Sequence, residues 1–158
     1  FSGGLLDSQI NFNKGGGGTS AKIAGAESGG NYKADNPKST AYGKYQFLDA
    51  TWTNAQKALG RKLDRNSIKD QEDAQVWLID INTTYLKKKG IEPNTKNLYM
   101  VHFLGQGGAN RFFKALQENP NAPATSFATK DEIESNKNDF SKAKTLRDFY
   151  NHMTNKVL

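Results

Sequence analysis

The chain has 158 residues, enough for one domain with one hydrophobic core. Its 22 Lys and Arg against 16 Asp and Glu give a net charge of +6, which either serves solubility or favours a polyanionic partner. The sequence contains no cysteine, which excludes disulfides and thiolate chemistry, and its two histidines form no zinc-hydrolase motif. No stretch approaches the roughly 20 apolar residues that cross a bilayer, so we expect no membrane span.

The first 18 residues are polar and glycine-rich, and four consecutive glycines at 15–18 are typical of a flexible linker. A phosphate-binding loop is the alternative, but it lacks the Gly-Lys-Ser/Thr sequence that would follow and the apolar strand that would precede it. We therefore predict a linker over 1–18 and one domain over 19–158. The start at Phe1, without a signal-peptide pattern, suggests a fragment of a larger protein or a matured product.

The region after the linker predicts two short helices. Thr19 or Ser20 is placed to cap the first helix, which we expect to end at Ser28, where two glycines follow. The second helix is predicted over 49–59, between an aspartate and a glycine. Turn-forming residues between the helices leave room for at most a short β-hairpin within 32–47.

Longer helices are predicted downstream. The longest should cover 70–89, where apolar residues recur at helical spacing. These residues are Ala74, Trp77, Leu78, Ile81 and Tyr85. A helix after Thr95 should run to Gly105, and Gly107-Gly108 should then break the chain. Another helix should follow and stop before Pro120, and the last should begin near Thr145. Leu146, Phe149, Tyr150 and Met153 would form the buried face of this last helix. The pattern as a whole predicts a mainly α fold, a compact helical domain.

Glu27 is the residue whose surroundings are most informative. It follows Ile23 by four residues, so we expect it on the apolar face near the end of the first helix. The partial negative charge of a helix C-terminus disfavours an ionised carboxylate, and the glycines after Ser28 let a polymer approach. A carboxyl group that keeps its proton near neutral pH is what general-acid cleavage of a glycosidic bond requires. The alternative is an exposed glutamate at an ordinary helix end.

Three motifs around Glu27 resemble the active-site region of resuscitation-promoting factors and of phage virion-associated transglycosylases. They are Glu-Ser-Gly-Gly-Asn-Tyr from Glu27, Tyr-Gly-x-x-Gln-Phe at 42–47, and Thr-Trp at 51–52. The motifs are also similar to those of soluble lytic transglycosylases, within the lysozyme-like superfamily. The resemblance extends over about residues 21–116 and implies an α+β lysozyme-like fold with a substrate cleft between two lobes.

The resemblance assigns roles residue by residue. Glu27 matches the single catalytic acid/base of the family, and Ser28 takes the adjoining position. Gly43, Tyr45 and Gln46 match the glycine, methionine and glutamine of a Gly-Leu-Met-Gln segment that binds substrate.

Two looser segments extend the resemblance. Tyr85 lies in a small-small-Tyr-Leu segment of the long helix, and His102, Phe103 and Gln106 lie in a segment that lines the cleft of the family. The resemblance implies substrate contacts for all four. The family has a tyrosine at Phe103 and an asparagine at Leu104, so the hydrogen bond from that tyrosine to the catalytic glutamate is lost here. Either a polar contact from His102, Tyr99 or Tyr85 replaces it, or Glu27 is held by packing alone.

The resemblance implies a reaction with one carboxyl group. Glu27 would protonate the oxygen that joins N-acetylmuramic acid to N-acetylglucosamine, and the 2-acetamido group would stabilise the cation. Glu27 would then take a proton from the C6 hydroxyl of the same sugar, leaving a 1,6-anhydro end. Gln46, Tyr45 and Tyr85 would position the sugar rings, and neither a metal nor another cofactor is required.

Other functions stay open at this point. A hydrolytic muramidase needs a second carboxylate, for which Asp35 is the first candidate because Asp49 is better explained as a helix cap. A non-catalytic wall-binding module is suggested by Phe103 and Leu104, and a nucleic-acid binder would rest on charge alone.

The expected partner is peptidoglycan, with no nucleic acid. The setting implied is a larger virion protein that acts in the periplasm or cell wall, or else an exported bacterial protein, with a monomeric domain.

Overall fold

The computed structural model describes residues 18–158, so the predicted linker lies outside the described residues except for Gly18. The described chain is mainly helical, which confirms that prediction. Its helices are α1 (Thr19–Ser28), α2 (Asp49–Leu59), α3 (Ile68–Lys88), α4 (Thr95–Glu118), α5 (Lys130–Ser135), α6 (Lys137–Phe140) and α7 (Leu146–Thr154), with 3-10 turns at Ala124–Phe127 and Asn155–Val157. None of the helices in 18–158 is long and apolar enough to span a membrane.

Two compact units divide the chain, the first ending at Gly90 and the second covering Ile91–Leu158. In the first unit, isolated antiparallel bridges pair Asp35 with Tyr42 and Tyr42 with Phe47. They lie where the sequence allowed a short hairpin.

The ends of the first two helices lie where the sequence placed them. Gly29 and Gly60 end α1 and α2 in the left-handed conformation, with φ of 66° and 69°. The predicted N-cap of α1 is wrong. Thr19 and Ser20 lie inside the helix, and Gly18 precedes it without a side-chain cap, so the polar pair at this position does not mark the boundary.

The long helix α3 buries polar as well as apolar side chains. It begins before the predicted Asp70 because the Ser67 hydroxyl oxygen accepts a hydrogen bond from the Asp70 amide at 3.2 Å. The predicted apolar face is correct in part, since Ala74 and Trp77 are buried, whereas Leu78, Ile81 and Tyr85 are half-buried. The remaining buried residues of α3 are Gln71, Gln75, Ile79, Asn82 and Leu86. The buried face of α3 therefore differs from the predicted one, because it includes polar residues that a search for apolar spacing does not detect.

In the second unit, α4 consists of two helical arms with a sharp change of direction at Gly105. Gly105 has φ 73° and ψ 165°, a conformation essentially restricted to glycine. The first arm ends at Gly105, as predicted, but the predicted break at Gly107-Gly108 is wrong, because both of these residues are helical.

Aromatic rings form the core of the second unit. Phe140 stacks on Phe149 with ring centroids 4.6 Å apart, and Phe127 meets Phe112 edge-on at 5.1 Å. Helix α7 starts after Thr145, as predicted, with a capping box. Its predicted buried face is confirmed for Leu146, Phe149 and Met153, and Tyr150 is half-buried.

Candidate active site

Glu27 lies in the last turn of α1 and is half-buried. Within 18–158, no hydrogen bond or ion pair engages its carboxyl group. Beyond their chain neighbours, Gly29 and Gly30 have no heavy atom of residues 18–158 within 4 Å of the position that a Cβ would take. Within the described chain, the carboxyl group therefore has no hydrogen-bond or ion-pair partner, and no described residue fills the space beside the two glycines that follow.

Ser28 connects the end of α1 to the loop that follows. Its hydroxyl donates to the carbonyl oxygen of Lys44 at 2.5 Å. The same oxygen accepts from the amides of Gly30 and Asn31, at 3.2 and 3.1 Å. This serine, predicted to bind substrate, therefore shapes the loop next to Glu27.

Gly43 and Gln46 shape the turn that Ser28 contacts. Gly43 has φ 90°, and a Cβ there would lie 2.5 Å from Oε1 of Gln71. Gln46 has φ 55°, which is uncommon for a residue other than glycine. Its side-chain amide donates to the carbonyl oxygens of Ala34 and Gly43 at 3.1 and 2.9 Å. Both residues hold the turn in a conformation that few residues adopt readily.

Glu72, on α3, is the centre of a hydrogen-bond network under this loop. Its Oε2 accepts from the Tyr32 hydroxyl at 2.6 Å and from Nζ of Lys44 at 2.8 Å, and its Oε1 accepts from the Tyr45 hydroxyl at 2.5 Å. Burial alone would raise the pKa of Glu72. The hydrogen bonds from Lys44, Tyr32 and Tyr45 outweigh this effect, so the pKa lies below its ordinary value and the group is an anion at neutral pH.

The partners of Glu72 are correspondingly fixed in their protonated forms. Burial and the hydrogen bond to Glu72 raise the pKa of Tyr45, whose side chain is 2% exposed. Burial would lower the pKa of Lys44, but its hydrogen bonds to Glu72 and Tyr32 raise it on balance. Tyr45, predicted to help position the sugar rings, is a buried support of the loop in this structure.

The sequence did not single out Glu72. A glutamate near the start of a long helix is ordinarily a solvated residue that complements the helix dipole. The available signal was the polar side chains of Gln71, Gln75 and Asn82 in phase with buried apolar residues, since buried polar groups require partners.

Tyr85, in α3, is half-buried. Its hydroxyl oxygen is buried without a hydrogen-bond partner in the described chain, and burial raises its pKa. The alternative acids differ from Glu27 in their surroundings. Asp35 is exposed in the loop, and Asp49, in the first turn of α2, pairs with Arg65.

The other three predicted substrate residues belong to the second unit. His102 and Phe103 are half-buried in the arm of α4 before Gly105, and Gln106 is exposed just after it. The Phe103 ring stacks against Tyr99, with centroids 6.3 Å apart.

Clusters of three or more His, Asp or Glu suited to a metal ion are absent from 18–158. No protein-family model matches the chain, and no curated protein matches it. A functional assignment must therefore come from the side chains themselves and from the motif resemblance.

Proposed function

We propose that this chain cleaves peptidoglycan as a lytic transglycosylase of the lysozyme-like superfamily, with Glu27 as the sole acid/base. One observation carries the proposal. A half-buried carboxyl group at a helix end, uncommitted within 18–158, stands beside two glycines with open space. A general acid must reach the substrate oxygen, so it cannot be held in a structural ion pair.

The surroundings of Glu72 and Asp49 support a route with one catalytic carboxyl group, and Asp35, exposed in the loop, stays the candidate for the muramidase alternative. Glu72 accepts three hydrogen bonds, and Asp49 is paired with Arg65. Neither is available as the nucleophile or base that a two-carboxylate glycosidase requires.

The proposed reaction starts with proton transfer from Glu27 to the glycosidic oxygen. The bond from that oxygen to C1 of N-acetylmuramic acid breaks, and the 2-acetamido group stabilises the cation. The C6 hydroxyl of the same sugar then bonds to C1 and returns its proton to Glu27, so the product is a 1,6-anhydro sugar.

In this proposal the remaining predicted residues have two kinds of role. Ser28, Gly43 and Gln46 shape the loop beside the carboxyl group through the contacts described above. Substrate contacts at Tyr85, His102, Phe103 and Gln106 stay predictions from the motif resemblance. So do a lysozyme-like cleft and a virion or exported setting, with peptidoglycan as the partner.

Mass spectrometry of the soluble fragments from digested cell wall tests the proposal. We expect 1,6-anhydro ends from the native chain and no fragments from Glu27→Gln, with a melting temperature close to that of the native chain. Glu118→Gln, an exposed glutamate in the last turn of α4, is the matched control and should release fragments at the native rate.

Each other outcome has a distinct meaning. Reducing ends would indicate a muramidase and make Asp35→Asn the next variant. Wall binding without release of fragments would indicate a binding module, and native activity in Glu27→Gln would remove that residue from the mechanism.

A further inference from the structure

Lys44 is held at three separate points. Its amide donates to Oε1 of Gln71 at 2.9 Å, and its Nζ donates to Glu72 at 2.8 Å. Its carbonyl oxygen accepts from Ser28, the residue next to Glu27, at 2.5 Å. The first turns of α3 therefore hold the residue to which the end of α1 is bonded.

The same two side chains of α3 also hold the beginning of the loop. The amide of Gln71 donates to the carbonyl oxygen of Tyr32 at 2.9 Å, and the Tyr32 hydroxyl donates to Glu72 at 2.6 Å. Tyr32 and Lys44 lie twelve positions apart, and Nζ of Lys44 also donates to the Tyr32 hydroxyl at 3.2 Å. Glu72 thus joins both ends of a loop that contains only isolated bridges.

We propose that Glu72 is a positioning residue that sets the location of the Glu27 carboxyl group through Lys44 and Ser28. The inference rests on the proposed function. Hydrogen bonds to an ionised acceptor are about twice as strong as neutral ones, so the Glu72 carboxylate attaches the loop firmly to α3. Misplacement of a catalytic group by about 1 Å can lower the rate by about a hundredfold.

The observed hydrogen bonds suit a carboxylate at position 72. All three donors face an acceptor, and Glu72→Gln replaces one acceptor oxygen with an NH₂ donor that must face at least one of them. Asp73→Asn is a matched control on the next residue of the same helix. Asp73 pairs with Arg61 and Lys69, and neither of these residues belongs to the loop between Tyr32 and Lys44.

Kinetics on purified glycan strands test the role. We expect Glu72→Gln to lower kcat roughly tenfold or more while KM changes less than about twofold, because the defect lies in orientation rather than in sugar binding. Asp73→Asn should keep the native kcat. Tyr32→Phe removes one donor and keeps the charge, so it should fold even if Glu72→Gln does not, and it should lower kcat about threefold.

A double-mutant cycle tests the route through Ser28. If Glu72 acts through that contact, Glu72→Gln should lower kcat much less in a Ser28→Ala background than in the native chain. An equal drop in both backgrounds would overturn the route. Native kcat in both Glu72→Gln and Tyr32→Phe would overturn the positioning role, while release of anhydro fragments by the native chain would leave the proposed function standing.

Amide hydrogen exchange provides a readout that does not need activity. The amides of Asn31 and Lys44 donate to Ser28 and Gln71, so we expect both to exchange faster in Glu72→Gln and unchanged in Asp73→Asn. Unchanged exchange in Glu72→Gln would contradict the positioning role. If the native chain released no fragments, the proposed function would fail, and exchange would still decide whether Glu72 holds the end of α1.

Discussion

The two units are stabilised in different ways. In the first, a loop with no regular strand is attached to α3 by hydrogen bonds to Gln71 and Glu72. In the second, packed rings such as Phe140 and Phe149 fill the core. Ring packing is strong but directs atoms loosely, and it does not respond to pH. Hydrogen bonds contribute less each, but they fix atoms in direction, and those to Glu72 depend on its ionisation. The loop beside Glu27 has the kind of support that orients a reactive group.

The largest expected effect concerns the aromatic core. Phe149 is fully buried and contacts the rings of Phe112, Phe127 and Phe140, so Phe149→Ala should lower the free energy of unfolding by about 4 kcal/mol. Chemical denaturation at pH 7 and at pH 5 should give the same loss. The control Leu158→Ala, at a side chain that is 74% exposed, should stay within about 0.5 kcal/mol of the native chain. A loss at Phe149 below about 1 kcal/mol would contradict the packing described here.

A smaller loss is expected where the loop meets α3. Gly43→Ala should destabilise by about 3 kcal/mol, because φ is 90° and the new Cβ would collide with the Gln71 amide. That amide is held by Tyr32 and Arg65, so it cannot move without losing hydrogen bonds. Gly25→Ala, inside α1, should instead stabilise by about 0.5 kcal/mol, because apart from α1 itself no described residue lies within 4 Å of the new Cβ. Thermal unfolding of the pair measures the difference, and equal melting temperatures would refute it.

The smallest expected effect is the one that depends on pH. Glu72→Gln should lower the free energy of unfolding by about 1 kcal/mol at pH 7, since Glu72 is partly exposed. Burial opposes ionisation of Glu72, but hydrogen bonds hold its pKa below the ordinary 4.5. A lowered folded-state pKa gives stability that is complete above the ordinary value and lost as pH falls through the folded value. Denaturation at several pH values should therefore show the gap between native chain and variant narrowing below about pH 4.5. A gap that stays constant down to about pH 3 would contradict the network.

Local sequence was enough to predict much of the helical architecture. Gly29 and Gly60 end their helices because only glycine enters the left-handed conformation without penalty, and Thr145 caps α7 because its hydroxyl satisfies a free amide. Local sequence also predicted the end of the first arm of α4 at Gly105, whereas Gly107 and Gly108, which it predicted to break the chain, have helical backbones.

The candidate site was predictable only in part. The Glu27 motif stands out because several unusual residues recur together in a known order. Glu72 does not stand out, because its importance comes from Tyr32, Lys44 and Tyr45, which lie 27 or more positions away in the chain. Ser28 and Gln46 were singled out by the motif, but their contacts to backbone carbonyl oxygens required coordinates.

The glycine at the turn in α4 also sets the rotational phase of the second arm. His102 and Gln106 are four residues apart, a spacing that aligns side chains along an unbroken helix. Gly105 leaves the helical conformation between them, so that alignment is lost. The side chains of the second arm therefore point in directions that the first arm does not determine. Any change that restored a continuous helix here would turn Phe112 and Phe113 toward different neighbours. A residue without a side chain therefore decides which rings of α4 enter the aromatic core.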